Sequence, residues 1–417
     1  MCKSCGNQAL ANNVPAQKYH LSDFFQAHWD AYRLFPTKYI EPEQYKAVNA
    51  ILKCRTEALG KDLWVCERCG DISEVLLNCK NRFCPRCSWL DTVKWAERIK
   101  SEIYNIPHRH VVFTLPHSLI PLIEKNKKLI YNLMGRVSAD TLKDWILAKY
   151  KINCGIISVL HTFGEKKNLH VHVHMIVSWG GQDCETQELK KIDDIFVKYE
   201  FLQKKFRIKF EDELVKFYDD KKLDHNFLNR GLFLSFLKKI NKKNWQIHFE
   251  PPMATPAEVI RYIGRYSKRC CLSEYKITNI DGEYLTFKYK DYKEKDANGK
   301  AVEKELRLHY RDFFPLLLQH VPPSGLRLVK NYGKYARTKK IPAEYKAPIE
   351  KVKISEQLED DFETSDENPK YCKLCNCQKT YFMTIYKPLS IKGQPDSERI
   401  EFDKNILKKN VIKKKVA

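Results

Sequence analysis

LHVHVHMIV, residues 169–177, decides the fold. Side chains alternate along a strand, so His170, His172 and His174 share one face, while Leu169, Val171, Val173 and Met175 turn toward a core. A single histidine in a strand is more often a satisfied core residue. Three imidazoles on one face are costly to bury without a ligand, which favours a metal. The preceding run GIISVLHTF, 155–163, reads as a second strand, with a polar turn between the two. If that turn is Glu165 to Asn168, Gly164 faces Leu169 and His161 faces His172 across the ladder. The expected ligands are therefore His172 and His174, with His161 or His170 as the third.

Outward from this hairpin, HVVFTL at 110–115 and WQIHFEP at 245–251 read as further strands. Residues 118–150 and most of 185–243 carry helical spacing. YKITNI and YLTFKYK flank the turn signal Asp281-Gly282. The order strand, helix, strand, strand, helices, strand predicts an α+β fold. Its centre is an antiparallel sheet of the split β-α-β kind with flanking helices.

A second constellation lies in TPAEVIRYIGRYSKR, 255–269, read as a helix opened by Thr255 and Pro256. Tyr262 and Tyr266 are four residues apart and share a helix face, framed by Arg261, Arg265, Lys268 and Arg269. Paired tyrosines alone more often pack, and a basic helix face is usually just solvated. Beside a metal, these residues read as DNA-binding cations around two nucleophiles. A phenol, of pKa about 10, needs cations and a polarised phosphate to attack phosphorus. Attack would leave a covalent phosphotyrosine and a free 3′ hydroxyl, and a later strand end could reverse the step. Two tyrosines allow two such transfers.

The chain has 15 cysteines. Cys66-x-x-Cys69 and Cys84-x-x-Cys87, separated by 14 residues, read as two knuckles on one structural Zn²⁺. Cys54 and Cys79, with His28, are candidates for a further zinc site, although ordinary core thiols would look the same. Cys2-x-x-Cys5 and Cys372-x-x-Cys375 are half-sites near the two ends that could meet at one ion. Cys154, Cys184, Cys270 and Cys271 lack partner spacing.

With 417 residues, 74 Lys+Arg against 52 Asp+Glu and a formal charge of +22, the chain calls for a polyanionic partner, most simply DNA. No apolar run is long enough to span a bilayer and the start lacks an apolar signal core, so membrane insertion and secretion are not expected. The expected organisation is an N-terminal segment 1–18 with a Cys pair, a helical zinc-ribbon DNA-binding domain 19–104, and a catalytic domain 105–340. An acidic linker 341–370 follows, containing seven acids within SEQLEDDFETSDEN, and then a Cys-containing basic tail 371–417.

From about residue 20 to 337 the chain resembles the HUH endonucleases, and more closely the two-tyrosine rolling-circle transposases of bacterial insertion sequences. The resemblance rests on CRTEALG (54–60), CERCG, NRFCPRC, HVVFTLPHSL (110–119), HTFG (161–164), LHVHVH, YIGRYSKR, FKYKDY (287–292) and HVPPSGLRLVKNYG (320–333), taken in order. It implies an N-terminal transposase zinc-binding domain, an HUH catalytic domain, a Mg²⁺ or Mn²⁺ requirement and single-stranded DNA intermediates. It also implies a protein of the bacterial cytoplasm, associated with the nucleoid. Carried over by position, His172 and His174 are metal ligands, and Tyr262 and Tyr266 are nucleophiles. One departure is Phe83, where relatives are expected to have histidine. Competing readings are a replication initiator or relaxase, and a zinc-dependent DNA-binding protein without catalysis.

Overall fold

The computed structural model describes residues 19–88, 99, 102–193, 197–240, 245–253, 255, 258–259, 270–339, 341–347, 371–372, 374–375 and 377–386, and the backbone of 399–402. The strands, in chain order, are β1 (Lys61–Val65), β2 (Ile72–Leu76), β3 (His108–Thr114), β4 (Ile152–Asn153), β5 (Gly155–Phe163), β6 (Leu169–Ser178), β7 (Gly180–Asp183), β8 (Leu189–Lys191), β9 (Gln246–Met253), β10 (Ile277–Asp281), β11 (Tyr284–Lys295), β12 (Ala301–His309), β13 (Val329–Gly333), β14 (Thr380–Tyr386) and β15 (Arg399–Phe402). The described helices are α1 (Leu21–Leu34), α2 (Pro42–Lys53), α3 (Ile120–Lys125), α4 (Lys127–Tyr150), α5 (Tyr199–Asp219), α6 (Arg230–Ile240) and α7 (Tyr310–Leu318).

The central sheet has the order β13-β5-β6-β3-β9 and every neighbouring pair is antiparallel. Strands β3, β5, β6 and β9, with helices after β3 and after β6, make the split β-α-β pattern expected from the sequence. Alternation along β6 buries Leu169, Val171, Val173 and Met175. These residues share one core with Val111 and Phe113 of β3, Leu142 and Ile146 of α4, and Phe206 and Phe210 of α5. The helices therefore cover one face of the sheet, and the histidines occupy the other.

A second core differs from the expected domain division. Leu21, Phe24 and Phe25 of α1 and Val48 of α2 pack with Leu285 and Phe287 of β11 and Phe313 and Phe314 of α7. The N-terminal helices thus complete the sheet β10-β11-β12, which lies far along the chain. The β10–β11 hairpin turns at Gly282, whose φ of 52° suits a residue without a Cβ. A third sheet, β15-β14-β1-β2, joins strands of residues 61–76 to strands of residues 380–402. Within the expected tail, β14 hydrogen-bonds to β1 from Lys61↔Ile385 to Val65↔Thr380. The start of the expected linker is also folded: Ile341 and Ala347 are buried and Tyr104 bridges Lys346. The expected helix over 255–269 lies outside the described residues, except for Thr255, Glu258 and Val259.

Candidate active site

Three central strands build the histidine cluster. In β5 and β6, His161 pairs with His172, as the turn length predicted, and Val159 pairs with His174. The turn end itself differs from expectation: a bulge between His161 and Phe163 makes Phe163, not Gly164, the partner of Leu169. On β3, Thr114 lies opposite His172 and Val112 opposite His174. One ring nitrogen from each of His161, His172 and His174 falls in a common group within 4.8 Å. His170 is on the same face but outside that group, so the structure favours His161 as the third member.

The tautomers are organised for coordination. His172 Nδ1 lies 2.9 Å from the carbonyl of His170, to which it donates, leaving Nε2 for a metal. His174 Nδ1 lies 2.9 Å from His110 Nε2, and the two rings stack with centroids 5.1 Å apart. If His174 Nδ1 is the donor in that contact, its Nε2 is the nitrogen left for a metal. Burial holds His110 and His172 down to about 3 and His174 well below its ordinary value. All three imidazoles are therefore neutral at pH 7, the form that binds metal. The donor set fits a divalent ion with positions open for oxygen ligands.

His110 was missed by the sequence reading, although it opens the strand run HVVFTL quoted above. Its signal is parity: His110, Val112 and Thr114 alternate onto the face of β3 that meets His172 and His174. His320, in the HVPP stretch, was likewise not singled out. Its Nε2 donates to the carbonyl of Lys167 at 2.8 Å, and its Nδ1 lies 3.0 Å from Thr162 Oγ1. Lys167 holds the left-handed position of the β5–β6 turn, with φ of 64°. His320 thus pins the turn that sets His161 opposite His172.

Tyr262, Tyr266, Arg261, Arg265, Lys268 and Arg269 lie outside the described residues, as do Cys2 and Cys5. The neighbours of the tyrosine stretch on either side are informative. Val259 is fully buried in a cluster with Ile157 and Ile176, which share the histidine face of β5 and β6. Cys270 and Cys271 line one cavity with His161 and His320.

Among the described residues the knuckle cysteines fall into two groups, not the single one expected. Cys84 and Cys87 join Cys54 and Cys79, whereas Cys66 and Cys69 join Cys372 and Cys375. The physical reason is the strand pairing: β1 carries Cys66 to β14, away from the Cys84 knuckle. His28 belongs to neither group; it stacks on Tyr310 at 4.9 Å, with Nε2 2.9 Å from the Gly282 carbonyl. Phe83, the departure noted above, is buried beside Cys84 in the second core.

Comparison with known proteins places the chain in a family. The family model described as "Putative transposase" (Y2_Tnp) matches residues 155–342, spanning the histidine hairpin and the tyrosine stretch. The model described as "Transposase zinc-binding domain" (Zn_Tnp_IS91) matches residues 24–115. A Sinorhizobium fredii protein named "Putative transposase y4qJ" is 32% identical over 321 residues, 75% of this chain and 79% of that protein. The chain belongs to the IS91-type transposase family. A further relative, the transposase for insertion sequence element IS801 of Pseudomonas savastanoi pv. phaseolicola, is 26% identical over 70% of each chain. No solved structure matches significantly. This transposase is accordingly a nucleic-acid-processing enzyme with structural zinc. Among the described residues no helix is long and apolar enough to cross a membrane.

Proposed function

We propose that this transposase cuts and rejoins single-stranded DNA through 5′-phosphotyrosine intermediates, moving its element by a rolling-circle-like route. The observation that carries the reading is the group of three imidazoles, His161, His172 and His174, on the face of the central sheet opposite the helices. A Mg²⁺ or Mn²⁺ ion held by His161, His172 and His174 would supply Lewis acidity at a scissile phosphate. Tyr262 or Tyr266 attacks phosphorus, the 3′ oxygen leaves, and the 5′ phosphate stays on the phenol. Arg261, Arg265, Lys268 and Arg269 favour the phenolate and grip the flanking phosphates. The stretch that carries them runs between Val259, packed on the histidine face, and Cys270, which shares a cavity with His161, and this supports its reaching the cluster. Such a protein works at the bacterial nucleoid, in the cytoplasm.

The test is incubation with Mg²⁺ or Mn²⁺ and single-stranded ends of the element, followed by denaturing electrophoresis. A shifted protein–DNA adduct is expected, lost in His172→Ala/His174→Ala. Equal adduct from Tyr262→Phe/Tyr266→Phe would rule out the tyrosines as nucleophiles.

A further inference from the structure

We propose that Cys66, Cys69, Cys372 and Cys375 bind a second zinc ion, one that joins two segments about 300 residues apart in sequence and makes β14 part of the zinc-binding domain. The matched zinc-binding domain ends at residue 115, so half of this donor set lies outside it. The Cys54, Cys79, Cys84, Cys87 group, by contrast, lies wholly inside.

Distances between the sulfurs match a tetrahedral site. Cys66 and Cys375 are 3.5 Å apart, Cys69 and Cys372 3.4 Å, and Cys69 and Cys375 3.8 Å. Zinc–sulfur bonds of about 2.3 Å put thiolates at tetrahedral corners roughly 3.8 Å apart. A disulfide would need about 2.05 Å, and all four thiols are free.

Both halves use the same local device. The amide of Cys66 bonds to the carbonyl of Asp71 at 2.8 Å, and the amide of Cys372 bonds to that of Cys377 at 2.8 Å. Each bond spans five residues and curls the intervening Cys-x-x-Cys so that both sulfurs point to one side. Gly70, at φ 76°, closes the first knuckle. The pairing of β1 with β14 then carries the knuckles to each other: Val65 precedes Cys66 and sits opposite Thr380. Four thiolates on Zn²⁺ carry a net −2, and cations stand close by. Arg68 Nη1 lies 3.6 Å from Cys377 Sγ, and the fully buried Lys379 ammonium pairs with Asp71, which touches Cys372. Compensating partners of this kind characterise a built site.

The site is also the more open of the two. Cys69 is exposed and Cys375 half-buried, whereas Cys54, Cys84 and Cys87 are all buried. A chelator should therefore strip this zinc first.

The full-length protein, purified with its metal, supplies the test. Elemental analysis should give two zinc ions per chain in the parent and one in Cys372→Ser/Cys375→Ser, with Cys66→Ser/Cys69→Ser losing the same single ion. Alkylation mapped by mass spectrometry needs no variant: Cys69, Cys372 and Cys375 should resist modification until a chelator is added, and then react before Cys54 and Cys84. One zinc per chain in the parent, two in either double variant, or rapid alkylation of Cys372 and Cys375 before chelation would each overturn the site. If the variants precipitate, parental stoichiometry and the alkylation order still decide.

Discussion

Replacing His110 with phenylalanine tests whether the histidine cluster is a metal site or merely a packed polar face. His110 is 2% exposed, its Nε2 lies 2.9 Å from His174 Nδ1, and the rings are within 10° of parallel. Phenylalanine keeps the stacked ring and most of the volume but cannot hydrogen-bond, so the change isolates the contact that fixes the His174 tautomer. Loss of such an outer partner typically weakens metal affinity by about 10–100-fold, or roughly 1.4–2.7 kcal/mol. The rotational freedom restored to His174 and the loss of the His110 contact at its Nδ1 both act in that direction. Mn²⁺ titration followed by electron paramagnetic resonance of the free ion measures the effect with the zinc sites occupied. A fall in Mn²⁺ affinity of one to two decades is expected, with unchanged zinc content. Binding within twofold of the parent would refute the coordination scheme, because a cluster that does not use His174 Nε2 has no need of His110.

The core beneath the site should be as sensitive as its position implies. Phe113→Ala removes a fully buried ring that packs edge-on against Phe206 at 4.9 Å, and should cost about 3–5 kcal/mol in denaturant unfolding; a loss below about 1 kcal/mol would contradict the helix-covered face. Acid should weaken the fold through His108 and His320, whose pKa values burial lowers to about 4. Unfolding raises each toward about 6.5, so the unfolded chain binds more protons between those values, and stability, complete above about 6.5, falls toward pH 4 by on the order of 3 kcal/mol per histidine. Urea unfolding at several pH values should show this slope, reduced in His320→Asn; an unchanged slope in that variant would refute the assignment to His320. Cys84→Ser removes a donor from the group inside the matched zinc-binding domain, and elemental analysis should show one zinc fewer with a lower melting temperature.

Much of the histidine layer was readable in the chain because strand parity and turn length are local. Period-two alternation put His172 and His174 on one face, and the turn length set His161 opposite His172, despite a bulge that shifted the turn by one residue. His110 escaped because parity does not reveal which strands are neighbours; only the order β5-β6-β3 brings β3 beside the histidines. Cysteine spacing identified the knuckles but not their partners. Cys66 meets Cys375 because β14 returns to β1, a contact across 309 residues that no local pattern encodes. The shared core of α1 with α7 is likewise long-range, and it blurs the expected boundary between the zinc-binding and catalytic regions. The small sheet β4-β7-β8 was not foreseen either, since its strands are short, and β7 includes Gly180 and Gly181.

The central claim, metal-assisted attack on DNA by a tyrosine, is tested most directly by mapping the covalent bond. Trypsin separates the two candidates, since cleavage after Arg261, Arg265 and Lys268 puts Tyr262 in YIGR and Tyr266 in YSK. The parent protein, incubated with Mn²⁺ and a single-stranded element end and then digested, should yield one or both peptides carrying a 5′-linked nucleotide, and His172→Ala/His174→Ala should yield neither. A nucleotide attached at any other residue, or strand cleavage at full rate with no attached nucleotide, would contradict the account.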